Sequence, residues 1–169
     1  MKISQEEYDA LESEIILEFA AKQSQKVLYQ MVMEWNWDSS NSFLNWLVDN
    51  PLTDKSTILM IYWKSAPRYF KQFIDRNEVM KKQPYSINDF DFVEKVEKNY
   101  LNDFYNSSVF EFEPSFWADE YSEIKLVKSI PEIMFKKVHG KIVEHPSNFT
   151  EGCPPELDTL LEELYEKYH

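Results

Sequence analysis

Only two glycines, Gly140 and Gly152, occur in 169 residues. Glycine supplies the left-handed turns of tight hairpins and the bare backbone of phosphate-cradling loops. A chain almost without it is steered away from many-turned sheets and from nucleotide-binding loops. It is steered toward helices joined by short polar connections.

The hydrophobic pattern agrees. Ser4 and Glu7 have capping-box spacing, and Tyr8, Leu11, Ile15 and Phe19 follow on one helical face. Ser24 is placed to cap a second helix with Val27, Leu28, Met31, Val32 and Trp35 as its stripe. Asn36-Trp37-Asp38 reads as a turn. Phe43, Leu44, Leu47 and Val48 make a short third helix, stopped before Pro51. Thr53 or Asp54 caps a fourth, and Ile58–Trp63 is apolar all round, so this helix is expected to be the most buried. Pro67 opens a fifth carrying Tyr69, Phe70, Phe73 and Ile74. Ser86, Asn88 or Asp89 starts a long helix with Val93, Val96, Tyr100 and Phe104 on one face.

The pattern changes near residue 107. Val109–Glu113 alternates, which suits an extended segment before Pro114. Residues 119–128 are compatible with another helix. Residues 130–143 read as a hairpin or as a short helix and strand. The last helix, 155–168, carries Leu157, Leu160, Leu161, Leu164, Tyr165 and Tyr168 at helical spacing.

A domain this long typically buries about two-thirds of its unfolded surface, and 43% apolar residues supply a core. The net charge is −12. Phosphate backbones and anionic lipid surfaces repel such a chain, so nucleic-acid and membrane partners are disfavoured. A basic protein partner is favoured, because complementary fields speed association. One cysteine, Cys153, excludes an internal disulfide, and no apolar leader or bilayer-length run is present. The expected location is the cytoplasm.

Chemistry-bearing constellations are sparse. His139, His145, Cys153 and terminal His169 lack zinc-ligand spacing. Asp38-Ser39-Ser40-Asn41 and Asn88-Asp89-Phe90-Asp91 lack the glycine and closing glutamate of a calcium loop. Cys153 stands between Glu151 and Glu156, an electronegative setting that disfavours a reactive thiolate. No catalytic residue, metal or cofactor is therefore expected. The binding signal is an acidic stretch, Glu111, Glu113, Asp119, Glu120 and Glu123, with Trp117 inside it. Tryptophan is enriched at interface hot spots, so Trp117 and the turn residue Trp37 are the candidate anchors. Trp35 and Trp63, on apolar helix faces, belong to the core.

Asn36-Trp37-Asp38, Asn50-Pro51, Asp54, Thr57, Leu59 and Tyr62 together resemble a bacterial family of domains of unknown function, number 4274. Ile130-Pro131-Glu132-Ile133 and Gly140 resemble the tail of its longer members. Two positions depart from the pattern: Ser39-Ser40 replaces a glycine after the turn aspartate, and Thr53 replaces a cysteine. The resemblance implies a small helical domain with a core at about 25–145 and implies no activity. Similar proteins are suspected to be immunity proteins beside secreted toxins, an association by analogy.

These readings combine into a mainly α, single-domain, multi-helix orthogonal bundle over residues 1–169, with room for a short β-hairpin in the C-terminal half. The expected function is an acidic protein-binding module, of immunity type if its partner is a basic toxin neutralised by occlusion. The alternatives are a small enzyme using carboxylates on a polar metabolite, or a structural subunit of a complex. A deep cleft holding two carboxylates would favour the enzyme.

Overall fold

The computed structural model describes residues 3–39 and 41–168. Met1, Lys2, Ser40 and His169 lie outside the described residues, and with them the Ser40 half of the glycine replacement and the terminal histidine. The described chain is mainly helical. In order it forms α1 (Gln5–Ala20), α2 (Gln25–Glu34), α3 (Ser42–Asp49), α4 (Lys55–Lys64), α5 (Pro67–Phe70), α6 (Arg76–Lys82), α7 (Ile87–Leu101) and α8 (Pro155–Tyr168). Short 3-10 turns stand at Pro84–Ser86, Pro114–Phe116 and Glu132–Phe135. The chain, read from its sequence as one domain, groups by its contacts into two compact units. One holds the residues up to Asp49 and those from Val143 onward, and the other holds Asn50–Ile142.

In the first unit α1 packs against α3 and α8. The capping box at its start is complete: the Glu7 N–H donates to Ser4 Oγ at 3.2 Å, and the Ser4 N–H donates to Glu7 Oε2 at 2.8 Å. These bonds hold the Glu7 carboxyl below its usual pKa. Ser24 caps α2 by accepting the Val27 N–H. Leu28, Met31, Val32 and Trp35 are buried, as are Phe43, Leu44, Leu47 and Val48 of α3. On α8 only Leu157 and Leu164 are fully buried, while Leu160 and Tyr165 are exposed, so its apolar stripe is wider than the face it covers. Gly152 has a φ of 88°, and a Cβ there would stand 2.7 Å from the Trp35 Cα.

In the second unit every residue from Ser56 to Trp63 is buried, which makes α4 the centre of the core. It packs on α5 and α7, and α6 packs on α7. The fifth helix is shorter than its apolar pattern suggests. It ends at Phe70, and Asp75 starts α6 separately by accepting the Glu78 N–H at 2.9 Å. Ile74, between the two, is exposed. On α7 the buried face is Phe90, Val93, Val96 and Tyr100, and Phe104 lies past the helix end and partly in solvent.

Residues 119–128 form turns instead of a helix. Tyr121 takes the left-handed conformation (φ 56°), which a helix interior does not tolerate. The Val127 and Lys128 N–H groups donate to the Lys71 carbonyl. The stretch 130–143 does not close on itself as a hairpin. Its Val138 and Lys141 pair instead with Phe112 and Phe110 in isolated bridges, and Phe112 and Val138 exchange both backbone hydrogen bonds at 3.0 Å. Gly140 makes this crossing fit: a Cβ there would fall 2.3 Å from the Val109 carbonyl oxygen.

Candidate functional site

Most residues that carry the family pattern are tied into the fold, while Thr57, also buried, keeps a hydroxyl with no hydrogen-bond partner among the described residues. Asn36 Oδ1 accepts the Asp38 N–H at 3.0 Å, closing the turn, and Asn36 Nδ2 donates to Glu151 Oε2 at 2.9 Å. Asn50 Oδ1 accepts the Leu52 N–H at 3.0 Å. Asp54, fully buried, uses both carboxylate oxygens. Oδ1 accepts the N–H and hydroxyl of Ser56, and Oδ2 accepts the Ser107 hydroxyl and the Val109 N–H. Leu59 and Tyr62 are core residues.

The second unit holds a buried ion network. Lys71, 2% exposed, donates to Glu97 Oε1 at 2.8 Å and to Glu94 Oε1 at 3.0 Å. The Tyr62 hydroxyl donates to Glu97 Oε2 at 2.6 Å. Burial, then the Glu97 charge, pushes the Tyr62 pKa far up, so it stays a phenol. Every charge here has a partner, which a buried lysine needs to remain folded.

The acidic stretch lies in the second unit and is strapped to α5 and its flanks. Arg68 Nε donates to the Ala118 carbonyl at 2.6 Å. The Tyr69 and Tyr121 rings meet at 5.8 Å. The Lys71 carbonyl receives Val127 and Lys128. Lys64 stands over the Trp117 ring, 5.4 Å from its centroid. These contacts use backbone and rings and leave carboxylates outward.

The predicted carboxylates differ in what else they do. Glu111 pairs with Lys137 at 2.8 Å, and Glu113 caps Pro114–Phe116 by accepting the Ser115 N–H at 3.2 Å. Asp119, Glu120 and Glu123 are exposed and make no ion pair among the described residues. Trp117 is half-buried beneath Lys64. The sequence reading missed Phe116, which is 79% exposed, its ring 5.1 Å from that of Trp117 and nearly perpendicular to it. Its neighbours were the available signal: an aromatic just after Pro114-Ser115 has no helix face to pack into. Trp37 lies in the first unit, half-buried, with its indole N–H enclosed and unpartnered. Trp35 and Trp63 are in the core, and Trp63 Nε1 donates to the Met134 carbonyl at 2.7 Å.

The first unit contains a cavity of about 160 Å³ bordered by Glu12, Glu151, Asp158, Cys153 and Trp35. Burial raises the Glu12 pKa, and Asp9 adds to it. Burial, then Asp158, Glu12 and Glu151, pushes the Cys153 thiol to about 11. His145 Nδ1 stands 2.6 Å from Glu34 Oε1. Among the described residues, no three His, Cys, Asp or Glu side chains gather closely enough to hold a metal ion. No described helix is long and apolar enough to cross a membrane.

The fold defines a small helical domain in which Asn36, Asn50 and Asp54 lock turns and a helix start. The model of the family described as Domain of unknown function (DUF4274) matches residues 23–101, and the chain is similar to that family over this stretch. The match takes in Asn36, Asp38, Asn50, Pro51, Asp54, Leu59 and Tyr62, and it ends before the acidic stretch. No curated protein and no solved structure matches the chain.

Proposed function

We propose that this chain is an acidic protein-binding module whose docking surface is the strapped segment 113–123. The observation that carries the reading is the division of labour in that segment. Its backbone and inner rings are tied to the α5 region, while Asp119, Glu120 and Glu123 have no cation partner among the described residues and Phe116 is open to solvent. Carboxylates left unneutralised beside an exposed ring suit a basic partner, and strapping lowers the ordering cost of binding. In the immunity-type version, the partner is a toxin whose basic active face is covered by this surface.

The test is capture from the source organism with the tagged chain as bait, washed at low and high salt. A basic protein held at low salt and released at high salt is the expected result. No specific partner at either salt contradicts the reading.

One observation favours the enzyme reading: three carboxylates border one cavity of the first unit, and one of them, Glu12, has a raised pKa. The cavity is about 160 Å³, below the ~300 Å³ at which small-molecule sites usually begin. The thiol beside it is held protonated at neutral pH. The enzyme therefore ranks second. Ligand screening against the whole chain would raise it if a polar metabolite shifted its melting temperature.

A further inference from the structure

Of the aromatic rings in the acidic stretch, Trp117 was the anchor expected from sequence, yet its face is already taken by the chain's own Lys64. Phe116, one residue earlier, is 79% exposed, and its one ring partner among the described residues is Trp117, at 5.1 Å. It closes the turn Pro114–Phe116, which Glu113 caps with one carboxylate oxygen on the Ser115 N–H. The other oxygen of Glu113 has no partner among the described residues. Just after the ring in sequence the chain turns, with the Glu120 N–H donating to the Trp117 carbonyl at 3.2 Å. Asp119 and Glu120 therefore follow within one turn, both exposed and without a cation partner among the described residues.

An open ring with exposed carboxylates three and four residues on, and another three residues before it, is a chemically selective landing place. Arginine carries a flat, weakly hydrated guanidinium that stacks on an aromatic face and still forks to a carboxylate at its edge. Lysine offers a compact, strongly hydrated charge that does one of these at a time. Resting on the docking reading above, we infer that the surface selects arginine over lysine. The partner's arginine lies on Phe116 and bonds to Glu113 or to the Asp119–Glu120 pair.

The choice of residue is independent of overall acidity. A surface acting through net charge alone would treat the two cations alike, because each carries one positive charge. Lys64 and Arg68 do not fill the place themselves, since Lys64 stands over Trp117 and Arg68 donates its Nε proton to the Ala118 carbonyl.

The experiment titrates the full chain with two peptides of equal length and charge, an arginine–glycine repeat and a lysine–glycine repeat, at low salt. The expected result is roughly tenfold tighter binding of the arginine peptide, the size of a partly desolvated cation–π contact. Phe116→Leu keeps an apolar side chain in this exposed turn but removes the ring, and it should erase the preference while leaving the lysine peptide's affinity unchanged. Equal affinity of the two peptides for the wild-type chain would overturn the arginine inference and leave the acidic docking surface standing. So would a preference that survives Phe116→Leu. Binding of neither peptide would overturn the docking reading, and the inference with it.

Discussion

The Asp54 carboxylate accepts the Val109 N–H at 2.5 Å, across 55 residues of sequence. The same side chain caps α4, so one carboxylate starts the most buried helix and pins the entry to the extended segment. Asp54→Ala removes a cap and leaves the buried Ser56 donors and the part-buried Ser107 and Val109 donors unpaired. The expected loss is about 3 kcal/mol or more in a urea titration. Asp54→Asn keeps one acceptor oxygen and should recover part of it. A loss below about 1 kcal/mol for the alanine variant would show that the bond to Val109 is not holding the fold.

Lys71 sets a second expectation. Its Nζ is shared by Glu94 and Glu97, and Tyr62 completes the network through Glu97. Lys71→Ala strands Glu97 in a largely buried position and should cost about 3–5 kcal/mol. The double change Lys71→Met with Glu97→Gln removes both buried charges and should be milder than the single change, because Glu94, the remaining ion, is partly exposed and keeps Lys128 at 3.9 Å. Equal or greater destabilisation by the double variant would refute this account.

Gly140 should be intolerant of a side chain for a purely steric reason, since it has no positive φ. A Cβ would press on the backbone of Val109 and Phe110, and backbone has no rotamer with which to yield. Gly140→Ala should destabilise by about 1–3 kcal/mol, read as a lowered melting temperature. Gly140→Ala melting with the wild type would mean that this crossing is looser than described.

Cys153 gives a pH dependence. Its thiol ionises at about 11 in the folded chain, against 9.0 when unperturbed, because burial and three nearby carboxylates disfavour the thiolate. The folded state holds the proton more tightly than the unfolded state. The thiol's contribution to stability is therefore whole below pH 9 and is lost as the pH rises through about 11. Alkylation by iodoacetamide near neutral pH should be about a hundredfold slower in the native chain than in urea. Similar rates in both states would contradict the buried, electronegative setting.

What could be read in the sequence was mostly local. Ser4, Ser24 and Asp54 announce helix starts because a cap and the N–H groups it receives lie within three residues. The burial of α4 follows from an apolar run with no polar face. The break between α5 and α6 was hidden because Tyr69, Phe70, Phe73 and Ile74 keep helical spacing across it, while the Asp75 cap that restarts the chain sits inside the pattern. Lys71 was invisible because its partners come from α7, 23 and 26 residues later. At the docking surface, charge was legible but allegiance was not. Glu111 and Glu113 read like Asp119 and Glu120, and only their contacts with Lys137 and Ser115 separate them.

The central claim is that Asp119, Glu120 and Glu123 meet a basic partner. With that partner recovered, its affinity should be measured by calorimetry for the wild-type chain and for the triple variant Asp119→Lys, Glu120→Lys, Glu123→Lys. All three side chains are exposed, so the variant should keep the wild-type melting temperature. The account predicts a loss of roughly a hundredfold or more in affinity and a much weaker dependence on salt. Unchanged affinity in a folded triple variant would contradict it.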